Sequence, residues 1–105
     1  MNYLLLIYMT KETAEKKVIK DYLKLNGYFI YHNLAGLGVY PGISDLTIIK
    51  DGQVYQIEVK VKKGKQSDNQ KKFQEEWEKH GGIYIIGDCE DVIKYLNNER
   101  DNYIT

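Results

Sequence analysis

DLTIIKDGQVYQIEVK, residues 45–60, alternates apolar and polar side chains on both sides of Asp51-Gly52. Asp-Gly is favoured in two-residue hairpin turns because such turns need positive φ at both central positions. The stretch therefore reads as an antiparallel hairpin with arms Asp45 to Lys50 and Gln53 to Lys62. A two-residue turn pairs Lys50 with Gln53, and each pair outward keeps a sum of 103, which sets Asp45 opposite Glu58. Opposed residues have Cβ atoms about 4.5 to 5.5 Å apart and leave the same face of the sheet. Lys60, two residues beyond Glu58, shares that face. A four-residue turn preserves this parity, whereas a three-residue turn with a bulge would send the two acids to opposite faces.

Thr47 and Gln56 accompany the acids, while Leu46, Ile48, Tyr55, Ile57, Val59 and Val61 lie on the other side, giving one core face and one polar face. A solvated surface on which Lys60 balances Glu58 is the plain reading of the polar face. Against it, two carboxylates about 5 Å apart repel by roughly 3 kcal/mol at an effective dielectric of 20, and opposed like charges weaken a sheet. A cation would turn that repulsion into a ligand set. Mg²⁺ is hard and is held by one or two carboxylates plus waters, often with phosphate oxygens completing the shell. A lysine beside it stabilises the charge that develops as a phosphodiester is attacked. In outline this is a phosphodiesterase site.

Outward from the hairpin, Ala14, Val18, Ile19, Tyr22, Leu23 and Leu25 predict a helix from Thr10, as N-cap, to about Leu25, stopped by Gly27. Tyr28 to His32 is β-prone, and Leu34 to Gly42 is a glycine-rich loop that holds the sole proline, Pro41. Ser67 to about His80 reads as a second helix with Phe73 and Trp77 on one side, ended by Gly81-Gly82. Ile83 to Ile86 is a short buried strand, and a last helix carries Val92, Ile93, Tyr95 and Leu96. The order α-β-β-β-α-β-α predicts an α/β fold with a central mixed sheet flanked by helices.

Residues 1–105 read as a single domain without repeats or a linker. Cys89 alone allows neither an internal disulfide nor a cysteine-based zinc site, which fits a reducing, intracellular setting. Tyr3 to Met9 lacks the flanks of a signal peptide and is too short to span a bilayer, so it reads as folded apolar structure. The 15 basic and 15 acidic residues cancel, but Lys60, Lys62, Lys63, Lys65, Lys71 and Lys72 cluster with only Asp68 among them. Local sign governs partners more than the sum does.

Pro41-Gly42-Ile43-Ser44-Asp45-Leu46, Ile57-Glu58-Val59-Lys60 and Gly64-Lys65-Gln66-Ser67-Asp68-Asn69-Gln70 resemble the VRR-NUC branch of the PD-(D/E)XK nuclease superfamily. The similarity runs from the first helix through Gly81-Gly82-Ile83-Tyr84 to the last. It implies a restriction-endonuclease-like core and a DNA endonuclease dependent on Mg²⁺ or Mn²⁺. Asp45 and Glu58 would be the metal ligands, with the Val59 carbonyl often completing the set, Lys60 the catalytic lysine and Gln70 a helix-borne site residue. Ser44 departs from the family's usual proline, a change expected to affect loop stiffness more than chemistry. The family also places a first-helix glutamate near the metal. Glu12 is favoured for this role and Glu15 is the alternative, with a first-turn acid stabilising the helix dipole as the simpler reading of either.

Next to such a site, Lys62, Lys63, Lys65, Ser67 and Lys71 become candidate phosphate contacts, joined by His32 and Asn33 at a strand end. Arg100 is the only arginine, so backbone or shape recognition is favoured over base reading. Gly36-Leu37-Gly38 lacks the lysine of a nucleotide-binding loop. His80 reads as a helix-end residue and Cys89 as a bystander thiol. The expected activity is a homodimeric, Holliday-junction-resolvase-like enzyme on branched or four-way-junction DNA, with a viral or phage origin suggested by family habit. The alternatives are a non-specific or sequence-specific nickase and a non-cleaving nucleic-acid-binding module.

Overall fold

The computed structural model describes residues 11–34, 36–61 and 64–104, with side chains up to Glu99. The elements are α1 (Lys11–Leu25), β1 (Phe29–His32), β2 (Leu46–Lys50), β3 (Gln53–Val59), α2 (Asp68–Lys79), β4 (Ile83–Gly87) and α3 (Cys89–Ile104). The order is the one the sequence predicts. The expectations for Tyr3 to Met9 and for Thr10 as N-cap lie outside the described residues. Among the described residues no helix is long and apolar enough to cross a membrane.

One mixed sheet runs β1-β2-β3-β4, antiparallel between β1 and β2 and between β2 and β3, and parallel between β3 and β4. Asp51 (φ 52°) and Gly52 (φ 79°) both take positive φ, the geometry of a two-residue turn. The register follows, from Lys50 opposite Gln53 to Leu46 opposite Ile57. At Asp45 the strict opposition ends. Its amide donates to the Ile57 carbonyl (3.0 Å), so residues 45 and 46 both lie against Ile57, as at a β-bulge.

The apolar face of the sheet receives α1 and α3. Ile19 and Leu23 of α1 and Val92 and Leu96 of α3 close over Leu46, Ile48, Tyr55, Ile57, Val59 and Ile85. Glu15 accepts a hydrogen bond from the Cys89 amide (2.6 Å) and holds the start of α3 to α1.

The polar face is buried as well, which rules out the solvated surface. Phe73 of α2 packs on Tyr84 of β4, on Trp77 and on Tyr40 of the loop before β2. Thr47, Gln56, Glu58 and Ser44 all lie inside. Burial of so many polar groups requires partners. Asn33 donates to the Ser44 carbonyl (3.1 Å) and to Gln56 Oε1 (2.9 Å), Gln56 donates to Thr47 Oγ1 (2.8 Å), and Thr47 returns a bond to Asn33 Oδ1 (2.8 Å). The Ser44 hydroxyl also donates to Gln56. The cover is partial: on the β1 side of the same face Phe29 is 64 % and Tyr31 48 % exposed.

Gly42 fixes how α2 meets this face. It has φ +79°, and a Cβ there would stand 2.2 Å from the backbone of Asn69 in the first turn of α2. Gly42→Ala is therefore expected to destabilise the fold by about 2 kcal/mol or more, through left-handed backbone strain and the clash together. Gly52→Ala, where a Cβ meets open space, should lose only about 1 kcal/mol. Urea unfolding of both variants checks the difference, and equal losses would mean that Gly42 does not seat α2.

Candidate active site

Asp45 is held at every polar atom. Its amide donates to Ile57, its carbonyl accepts from the Asn33 amide (2.9 Å), and its Oδ2 accepts from the Val59 amide (2.7 Å). The bulge at Asp45 thus brings its carboxylate to the backbone beside Glu58. Its other oxygen, Oδ1, pairs with Lys16 Nζ at 3.1 Å, and Lys16 also pairs with Glu12 at 3.3 Å.

Glu58 enters from β3 and is 4 % exposed. Its Oε1 accepts from Gln70 Nε2 (2.8 Å) and lies 3.7 Å from Lys60 Nζ. Gln70 is itself fixed by a capping box: its Oε1 accepts from the Ser67 amide (2.8 Å), and the Ser67 hydroxyl accepts from the Gln70 amide (3.2 Å). Glu58 Oε2 is buried with no hydrogen-bond partner among the described residues. Burial, and then the nearby Asp45 charge, push the Glu58 carboxyl up to about 7, against the opposing pull of Lys60 and Lys16.

Asp45, Glu58, Lys60 and Gln70 therefore meet at one place, where β2 begins, β3 ends and α2 begins. Glu12 and Glu15 part company. Glu12 shares Lys16 with Asp45, whereas Glu15 faces the start of α3 through Cys89. Among the described residues no group of three or more His, Cys, Asp or Glu side chains is arranged for a metal, and Glu12 reaches Asp45 only through their shared Lys16. Asn33 is engaged in the buried network rather than turned outward. Lys65, Ser67, Lys71 and His32 are exposed, and Lys62 and Lys63 lie outside the described residues.

Two solved structures share this architecture. A protein named VRR_NUC domain superposes with a TM-score of 0.73 at 23 % identity, covering 85 % of this chain and 97 % of its own. The chain has the VRR_NUC fold. A second, named VRR_NUC domain protein, gives a TM-score of 0.71 at 22 % identity, covering 84 % of this chain and 86 % of its own. No protein-family model and no curated protein matches the sequence. The α/β class, the mixed sheet and the restriction-endonuclease-like core expected from the sequence all hold.

Sequence reading missed Lys16. Its signal was local, since Glu12 and Lys16 stand four apart on one helix face, but the partner that matters, Asp45, is remote in sequence. Lys20 and Lys24 continue the same stripe. His32 is held below its ordinary pKa first by burial and then by the charges of Lys20 and Lys16. Burial disfavours the Lys16 charge, yet Asp45 and Glu12 raise its pKa on balance. The Cys89 thiol is pushed up to about 11 by burial and by Glu15, which makes it a poor nucleophile.

Because the Glu58 pKa is raised on folding, the native state holds a proton that the unfolded chain has released. Stability must therefore fall as pH rises from the ordinary carboxylate range through about 7. The loss is at most about 3 kcal/mol, and Glu58→Gln should abolish it. Urea unfolding in chelator from about pH 4 to about pH 8 compares the two proteins, and parallel stability curves would contradict the assignment.

Proposed function

We propose that this chain is a metal-dependent DNA nuclease of the VRR-NUC kind, with Asp45, Glu58 and the Val59 carbonyl as ligands for Mg²⁺ or Mn²⁺. One observation carries the reading: Glu58 Oε2 is buried with no donor. A carboxylate oxygen removed from water without a partner is unfavourable by several kcal/mol, and a divalent cation supplies the missing partner. The donor set fits, being hard oxygens on two acids, with Asp45 already fixed in place. Such an ion lowers the pKa of a bound water and neutralises charge on a phosphodiester.

The chain's own residues do the rest. Gln70 holds Oε1 of Glu58 and so orients its carboxylate, with the capping box keeping the amide from turning. Lys60 lies on the same side as Glu58 and carries the positive charge that stabilises the attacked phosphate. Lys65 and Lys71, exposed near the start of α2, contact flanking phosphates together with Lys62 and Lys63, and Ser67 takes part through its hydroxyl proton, its amide being held by Gln70. Lys20 and Lys24 extend the basic track on the α1 side, and His32, held below its ordinary pKa, offers a neutral hydrogen-bond donor to phosphate there. With lysine as the main basic residue, phosphate and shape contacts govern recognition, which favours branched DNA such as a four-way junction. Phe29 and Tyr31 offer an exposed apolar surface for a second copy, and a two-fold dimer would carry two sites for symmetric cuts.

The test is cleavage of end-labelled four-way junction, flap, linear duplex and single-stranded DNA in Mg²⁺ or Mn²⁺. Symmetric junction cuts are expected, abolished by EDTA and reduced by about 100-fold or more in Asp45→Asn, Glu58→Gln and Lys60→Ala. Equal cutting of every duplex would keep the nuclease and remove the junction preference. Junction binding with no cleavage in any metal would replace the nuclease with a binding module.

A further inference from the structure

Asp45 and Glu58 differ in one respect. Glu58 has an oxygen with no partner among the described residues, whereas both oxygens of Asp45 are engaged, Oδ2 by the Val59 amide (2.7 Å) and Oδ1 by the Lys16 ammonium (3.1 Å). Asp45 cannot readily turn away, because its backbone amide and carbonyl are bonded to Ile57 and Asn33. Nor can α1 withdraw, since Ile19 and Leu23 on the same helix are fully buried in the core. The movable part is the Lys16 side chain, which has four rotatable methylenes and is partly exposed at 29 %. Glu12, one turn earlier and more exposed, already touches the same ammonium at 3.3 Å and gives it somewhere to go.

We propose that Lys16 is the resident counter-ion of Asp45, and that a divalent cation reaches the Asp45 carboxylate by displacing the Lys16 ammonium toward Glu12. The inference rests on the reading of Asp45 and Glu58 as metal ligands. Lys16 is in this sense a positioning residue. It neutralises Asp45 while the metal is away, keeps the two acids from repelling each other, and sets how much binding energy a cation must supply to enter. A monovalent ion, with half the charge, competes poorly for that place. The metal affinity of the DNA-free protein is accordingly weaker than two carboxylates alone would give.

The test is Mn²⁺ titration of the DNA-free protein, followed by the electron paramagnetic resonance signal of free Mn²⁺. It compares wild type with Lys16→Met, Lys16→Arg, Lys20→Met and Asp45→Asn. Lys16→Met is expected to bind about five- to tenfold tighter, the range for losing a partly buried competing ion pair. Lys16→Arg, which keeps a cation at the same place, should stay within about twofold of wild type. Lys20→Met removes the same charge one turn along α1 without touching Asp45, and should also stay within about twofold. Circular dichroism confirms folding, and Lys16→Gln is read in place of Lys16→Met if that variant does not fold. Equal affinities for Lys16→Met and Lys20→Met, with binding lost in Asp45→Asn, would overturn the role of Lys16 and leave the metal site standing. Undiminished binding by Asp45→Asn would overturn the metal site and the role of Lys16 with it.

Discussion

The hydrogen bond from the Val59 amide to the Asp45 carboxylate holds the site together. It fastens the bulged start of β2 to the end of β3, at the point where the regular ladder has run out. Three consecutive residues of β3 and its extension then have separate tasks. Glu58 turns into the polar interior, Val59 points its side chain into the core, and Lys60 leaves the strand with its amide bonded to Gly87 of β4. The alternation of a strand is what divides these roles. An acid in the preceding loop could not serve the same purpose without that backbone bond.

Burying a carboxylate beside a second one is an unfavourable arrangement for stability, and the surrounding structure limits the damage. Gln70 bonds one oxygen of Glu58, Lys60 stands close by, and Lys16 neutralises Asp45. Beneath them Asn33, Thr47 and Gln56 form a closed ring of hydrogen bonds that leaves their amides and hydroxyl satisfied. Only Glu58 Oε2 is left over among the described residues. An isolated unsatisfied atom in an otherwise satisfied network is the pattern expected where a ligand completes the set.

The hairpin was legible because a single dipeptide, Asp51-Gly52, determines turn, register and face together. The start of the second helix at Ser67 was legible too, but the capping box that Ser67 and Gln70 form there emerges only in the structure. Ladder rules alone could not anticipate the bulge at Asp45, which depends on Asn33, just past β1, and Val59, at the end of β3, reaching it. Lys16 was hidden for a related reason, as its partner lies on an element it meets only after α1 packs on the sheet. The polar face looked like a surface because its strand pattern matches that of a solvated sheet. What buries it is α2, seated through Gly42 and the Phe73, Tyr40 and Tyr84 rings. For Asn33, strand-end position suggested contact with substrate, whereas the buried ring gives its side chain a structural task.

The central claim is that Asp45 and Glu58 hold one divalent cation between them. The most direct measurement is the anomalous difference density of crystals grown with saturating Mn²⁺. The account predicts a single strong peak bonded to both carboxylates, with Glu58 Oε2 among its ligands and the Lys16 ammonium drawn away from Asp45. Saturating Mn²⁺ that leaves the two acids without a peak between them, or that binds through other residues, would contradict it.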